Sequence, residues 1–169
     1  MSQSLISFRP IREEDFLSLL AWFRAPHVAR WWPVPESDDA VAAKYLPRIR
    51  GEESVYMYAI LLDEVPIGMA QICPADPQHG AVPDACSLDL LIGDTSFINR
   101  GLGPRVIDAF VTAEIFGHRG FSICLADPHE DNRRSVRAFE KAGFELRRRF
   151  QQEGQPFLLL ARNCPKPGL

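Results

Sequence analysis

"SLDLLIGDTSFINRGLGPRVIDAF", residues 87–110, decides how the chain is read. Its first residues alternate as a strand does. A Gly-Leu-Gly turn follows, and then Leu102, Val106, Ala109, Phe110, Ala113 and Phe116 recur at three and four residues, as in a helix packed on one side. His118, Arg119 and Gly120 supply the stop. The alternation puts Ser87, Asp89 and Leu91 on one face of the strand and Leu88, Leu90 and Ile92 on the other, so a carboxylate falls in an otherwise apolar segment. At a helix start, unpaired N–H groups and the helix dipole favour an anion, and glycines let it approach the backbone. Taken alone, Gly-x-Gly is common and fits a plain helix cap more readily than a phosphate cradle, and an aspartate near a strand end is functional or structural. The turn lacks the Gly-Lys-Ser/Thr of a Walker loop and the third glycine and ribose-binding acid of a dinucleotide fold.

Working outward, "LISFRPI" reads as a strand and "REEDFLSLLAWFRA" as a helix with acids in its first turn. The proline-broken segment from His27 becomes helical after Ser37. "VYMYAILLDEVPIGMAQICPA" gives a hairpin with a longer turn from Asp63 to Pro66, and residues 74–84 form a loop. Beyond the opening stretch come a short strand "FSICLAD", a helix "EDNRRSVRAFEKAG", and two strands, "FELRRRF" and "FLLLARN", about a turn at Gly154. Hairpins flank a central βαβα stretch, so the expected class is α+β with a mixed sheet rather than a doubly wound parallel one.

A length of 169 residues with 46% hydrophobic content fits one domain spanning 1–169. The net charge of -3 argues against a general nucleic-acid surface. Met1 is followed by no basic-then-apolar leader and by no stretch able to span a bilayer, so a cytoplasmic protein is expected. Cys73, Cys86, Cys124 and Cys164 are scattered without C-x-x-C spacing, and three of them sit in apolar runs where free thiols pack well, so neither a zinc site nor a disulfide framework is expected. His27, His79, His118 and His129 lack ligand spacing; no metal site is expected, and all four read as surface residues.

The order of elements, the "RGLG" turn and "EDNRRSVRAFEKAGFE" resemble the GNAT superfamily of N-acetyltransferases. Within it, "RWW", "YLPRI", "EES", "EVPIGMAQ", "LDLL", "RGLG", "ADPHEDN" and "FEKAGFE", in that order, are most similar to aminoglycoside 6'-N-acetyltransferases over nearly the whole chain. The resemblance implies a central, mostly antiparallel sheet that splays between strands 4 and 5, flanked by about four helices. It implies acetyl-CoA as donor, with the pyrophosphate on the amides around Arg100, Gly101, Leu102 and Gly103. Leu91 and Ile92 would offer backbone groups to the pantetheine arm, and Asn132 would lie near its far end. Two positions depart from the pattern: Ile98 stands at the Gln/Arg position of the turn, and Phe139 where many members have a tyrosine suited to protonating the leaving thiolate. Pro104 also withholds one N–H, as a first helical position tolerates.

By the same resemblance Asp89 is the catalytic base, and the chemistry agrees. An ammonium must lose a proton before its nitrogen attacks a thioester, and a carboxylate both attracts the cation and takes the proton. Trp32, Tyr45, Glu53 and Asp127 match acceptor-binding positions; carboxylates and flat faces suit a polycationic sugar. One of Trp31 and Trp32 would equally serve packing, and Asp127 before Pro128 would equally start a turn. The function implied is acetylation of an amine of a small polycation, first the 6'-amino group of an aminoglycoside, and nothing in the sequence fixes whether antibiotic resistance is its biological role or an incidental activity. Its rivals are a protein N-terminus, a siderophore amine, or an acyl-CoA-binding module without turnover. Fold and donor site do not fix the acceptor, and nothing in the sequence fixes the oligomeric state.

Overall fold

The computed structural model describes residues 4–80 and 82–165. Among these residues seven strands, β1 (Ile6–Pro10), β2 (Tyr56–Leu62), β3 (Val65–Pro74), β4 (Ala85–Ile92), β5 (Ile123–Ala126), β6 (Glu145–Gln152) and β7 (Gln155–Asn163), hydrogen-bond in the order β1-β2-β3-β4-β5-β7-β6. The β1–β2, β2–β3, β5–β7 and β6–β7 pairs are antiparallel, and β4–β5 is parallel. That parallel ladder pairs Ala85–Ser87 with Ile123–Leu125; β5 ends at Ala126, and β4 runs on to Ile92. Among the described residues five α-helical segments accompany the sheet: α1 (Phe16–Arg24), α2 (Pro26–Ala29), α3 (Asp38–Ile49), α4 (Leu102–Phe110) and α5 (Arg133–Lys141). The class is the mixed α/β one expected.

The chain forms two compact units, Met1–Cys73 with Asp89–Arg100, and Pro74–Leu88 with Gly101–Leu169, so that β4 contributes to both. In the first unit α1 and α3 bury one face each. Leu19, Trp22 and Phe23 of α1 and Val41 and Tyr45 of α3 pack with Met57, Ala59, Leu61, Met69 and Leu91 of the strands. A fully buried side chain such as Leu19 or Phe23 contributes roughly 1.5–3 kcal/mol. Ser37 caps α3 by accepting from the Ala40 amide at 3.2 Å, with Asp38 and Asp39 in the first turn, as its sequence predicts. The β2–β3 turn is tighter than predicted: Asp63 (φ 48°) and Glu64 (φ 68°) alone make it. Two consecutive left-handed residues match the twist of the strands, and Asp63 is held by Leu5, whose amide donates to Asp63 Oδ1 at 2.8 Å.

In the second unit Leu125, Leu159 and Ala161 form a core with Ala75, Ala85, Ile123 and Phe150 around it. The helix predicted through His118 is α only to Phe110 and continues as a π-helix over Val111–His118, before Gly120 turns at φ 73°. β6 ends the strand order and is exposed along most of its length; Arg147, Arg148 and Arg149 discourage pairing with another chain.

Candidate functional site

The site begins with a polar position in an apolar strand. Gln71 and Cys73 follow Met69 at alternate positions of β3, and the Gln71 Nε2 donates to Asp89 Oδ2 at 2.9 Å. The Cys73 thiol donates to the same oxygen at 3.8 Å. Asp89 keeps some solvent access, yet burial raises its carboxyl above the usual range. The Gln71 and Cys73 hydrogen bonds and the charges of Arg48 and Lys44 oppose that rise without cancelling it. A carboxyl that holds its proton more tightly is a stronger base once ionised, which suits proton abstraction.

Helix α3 presents Val41, Lys44, Tyr45 and Arg48 at three- and four-residue spacing, hence along one side. Tyr45 is 1% exposed and its ring is tilted on Phe23 at 4.8 Å; its phenol, raised in pKa by burial, accepts from Trp32 Nε1 at 3.0 Å. Trp32 also stacks on Phe23 at 6.0 Å, so the structure gives it both a packing role and a polar tie. Arg48 Nε donates to Glu53 Oε2 at 3.0 Å and Arg48 Nη1 to Gln71 Oε1 at 3.4 Å. Since Arg48 donates to the amide oxygen, the Gln71 amide nitrogen is left to face Asp89. Trp32, Tyr45, Glu53 and Asp89 thus belong to one cluster in the first unit, joined through Arg48 and Gln71. Lys44 lies over the Tyr45 ring at 5.4 Å, its ammonium pKa lowered by burial and then by Arg48.

Further along β4, Gly93 and Asp94 both donate to Ile67 O, at 2.8 and 3.2 Å. The Ile92 carbonyl is engaged by His27, whose Nε2 lies 2.8 Å away. His27 is therefore no surface residue; its Nδ1 is buried without a partner. Arg100 packs over the Phe97 ring at 5.7 Å and is exposed.

The other predicted residues lie in the second unit. Gly101, left-handed at φ 69°, is the N-cap of α4 and offers no side-chain cap, so Leu102 and Gly103 open the helix. Pro104 is the third helical residue, not the first, a position whose N–H would also lack an intrahelical partner. Gly103 has an ordinary helical backbone, and a Cβ there would lie 3.4 Å from the Ala138 Cβ of α5. Asn132 caps α5 by accepting from the Ser135 amide at 3.3 Å. Asp127 Oδ2 lies 3.8 Å from Nε2 of His79, which is 7% exposed rather than on the surface. Phe139 is buried edge-on against Phe144 at 5.0 Å, a packing position with no proton to give. Among the described residues no cluster of His, Cys, Asp and Glu could hold a metal, and no helix is long and apolar enough to cross a membrane.

Arg48, Lys44, Gln71 and Cys73 were not singled out from sequence as site residues. The signal for Gln71 was present: a polar side chain sharing a face with Met69 in "IGMAQIC", one strand from Asp89. Arg48 was detectable as the residue one helical turn beyond Lys44 and Tyr45.

Residues 12–152 match the family model described as "Acetyltransferase (GNAT) domain". A curated relative, the "Aminoglycoside N(6')-acetyltransferase type 1" of Klebsiella pneumoniae, is 30% identical over 153 residues, covering 85% of this chain and 76% of the relative. The protein of that name from Serratia marcescens matches to the same extent. Among solved structures, aminoglycoside acetyltransferase AAC(6')-Ib with coenzyme A and kanamycin superposes with a TM-score of 0.84 at 28% identity, covering 94% of this chain and 95% of that one. An aminoglycoside N(6')-acetyltransferase from Legionella pneumophila, at 20% identity and a TM-score of 0.76, shares the fold.

Proposed function

The chain belongs to the acetyltransferase (GNAT) domain family, and from that premise we propose that it transfers the acetyl group of acetyl-CoA to a primary amine of a small polycation, first the 6'-amino group of an aminoglycoside. The observation that carries this reading is Asp89, partly buried, raised in pKa and oriented by Gln71 in a cluster with Tyr45, Trp32 and Glu53. Relatives named for the same reaction at 30% identity support it.

Asp89 attracts the ammonium and takes its proton, directly or through water, and the amine nitrogen then attacks the thioester carbon. Positioning of both substrates in one ternary complex supplies much of the remaining rate. The N–H of Leu91 or Ile92, two and three residues along the same strand, is the candidate donor to the developing oxyanion. As the C–S bond breaks, coenzyme A leaves as a thiolate with a pKa of about 8.5 by analogy with cysteine, and the second proton of the nitrogen passes to that thiolate or to water, so departure does not require the acid that Phe139 lacks. The first-turn amides of α4, with Gly101 providing no side-chain cap, suit the pyrophosphate; Arg100, Gly101, Leu102 and Gly103 would hold it and Asn132 would lie towards the other end of the donor. Asp127, in the second unit, is the remaining candidate for the acceptor.

A panel of kanamycin, tobramycin, spermidine and N-terminal peptides, assayed for coenzyme A release, tests the acceptor. Aminoglycosides are expected to be turned over with the highest kcat/KM; preference for a peptide would overturn the acceptor class. Acetyl-CoA at about a hundred times its dissociation constant should stabilise the fold by about 2.7 kcal/mol, and ATP should not.

A further inference from the structure

We propose that Arg48 is a specificity-determining residue whose guanidinium fills a cation subsite of the acceptor site, so that within the aminoglycoside class the enzyme discriminates against acceptors of higher positive charge. The inference rests on the acceptor class proposed above and refines it.

An ammonium group is recognised by carboxylates, by carbonyl oxygens and by aromatic faces. Arg48 occupies one of each. Its Nε donates to Glu53 Oε2 at 3.0 Å, its Nη1 to Gln71 Oε1 at 3.4 Å, and its Cζ stands over the Tyr45 ring at 5.4 Å. Glu53 and Tyr45 are the residues marked from sequence as acceptor-binding, and the chain's own cation has taken them. A basic residue in the last turn of a helix is commonly a solvated partner of the helix dipole. Arg48 differs, because its side chain is only 20% exposed and it points back over Tyr45 rather than outward. Lys44, one turn earlier, lies over the same ring at 5.4 Å. The cluster therefore carries two cations, Lys44 and Arg48, against two acids, Asp89 and Glu53. That balance leaves Asp89 to receive one reacting amine but offers little net attraction to further ammonium groups. A polycation entering here must displace Arg48 from Glu53 or leave its second charge unpaired beside two like charges.

The test compares kanamycin with a hexose bearing a single amine on its sixth carbon, using full-length wild type, Arg48→Gln, Arg48→Met and the double variant Arg48→Gln/Glu53→Gln. Arg48→Met keeps an apolar stem over Tyr45 without charge, and gives the reading if the glutamine variant fails to fold. Removing the charge should shift the kcat/KM ratio toward kanamycin by about tenfold or more, mainly through KM, because Glu53 is released to the incoming ammonium. In the double variant that gain should disappear. A general structural loss would lower kcat/KM for both acceptors alike and leave the ratio unchanged. An unchanged ratio, a shift toward the single amine, or a gain that persists without Glu53 overturns the role of Arg48 while leaving the acceptor class intact. Turnover of neither sugar by any of the proteins overturns the acceptor class and the inference with it.

Discussion

The Gln71 amide donates to Asp89 Oδ2 at 2.9 Å while its own carbonyl accepts from Arg48 at 3.4 Å, so the side chain that orients the proposed base is itself held from α3. Asp89→Asn keeps size and shape but removes the charge and the basic site. Turnover should fall by roughly 10²- to 10⁴-fold with acetyl-CoA affinity retained. In the wild type kcat should rise with pH along one ionisation whose midpoint lies above the ordinary carboxyl value of about 3.9, because burial raises Asp89. That limb should vanish in the variant. Gln71→Leu removes a hydrogen bond that lowers the Asp89 pKa, so the limb should move to higher pH. Near-wild-type kcat and KM in Asp89→Asn would make Asp89 a structural strand residue.

The same shift has a consequence for stability. A native carboxyl that binds its proton more tightly than the unfolded one makes stability fall as pH rises from the ordinary carboxyl range through the raised native pKa. Asp89→Asn escapes that loss. It should melt above wild type at neutral pH, and the difference should shrink below about pH 4. Equal melting temperatures across this range would contradict the raised pKa.

Gly103 separates packing from donor binding. Its backbone is helical, and a Cβ would meet Ala138 at 3.4 Å, an ordinary contact. Gly103→Ala should therefore be neutral or stabilise the helix by up to about 1 kcal/mol. If the amides of this turn hold the pyrophosphate, Gly103→Val should weaken acetyl-CoA binding in a folded protein, because a branched side chain crowds the phosphates. Calorimetric titration beside a thermal melt decides it, and unchanged affinity would place the pyrophosphate elsewhere.

Most of the fold was legible because its elements carry local signals: the Ser37 cap, the Gly154 turn and the apolar spacing of α4 each fix one element without help from the rest. What was not legible depended on contacts remote in sequence. Asp63 and Glu64 show no glycine, yet make a two-residue turn because Leu5 of a distant segment holds Asp63. His27 and His79 look solvated in sequence, and only the folded chain places Ile92 O against one and Phe150 against the other. Asp89 was visible as a charge in an apolar strand. Arg48 and Gln71 were not singled out, because a basic residue near a helix end and a glutamine in a strand are commonplace until the fold shows Arg48 donating to Gln71 and Gln71 to Asp89.

Gly93 is required by close approach and not by its backbone angle. A Cβ there would lie 2.0 Å from Trp22 Cγ, and one at Gly68 would lie 2.1 Å from the Leu91 carbonyl oxygen. Gly93→Ala must push Trp22 out of the α1 core, and Gly68→Ala must push β4 away. Each should cost about 1–3 kcal/mol or more in urea unfolding. Gly93→Ala should also red-shift tryptophan emission; a change below about 0.5 kcal/mol in either variant would contradict the packing described.

His79 gives the chain a second pH dependence, opposite in sign to that of Asp89. Its ring is 7% exposed, lies edge-on to Phe150 at 5.3 Å, and has no hydrogen-bond partner on either nitrogen among the described residues. Burial holds its pKa below the usual value, Arg148 adds to that, and Asp76 works against it. Asp127 Oδ2 stands 3.8 Å from Nε2. With the native pKa lowered, the unfolded chain binds the proton more readily between that pKa and about 6.5, so stability is full at neutral pH and is lost as the pH falls through this window. His79→Leu removes the titrating group and two unpaired nitrogens, and it fills a site that is already apolar on the Phe150 side. At about pH 7.5 the variant should be as stable as wild type or more so, since an orphaned buried polar group gives way to a packed apolar one. Between about pH 7 and pH 5 the wild type should lose melting temperature that the variant retains. Parallel acid loss in both proteins would show that His79 is hydrated or paired in solution and that its burial does not govern this limb.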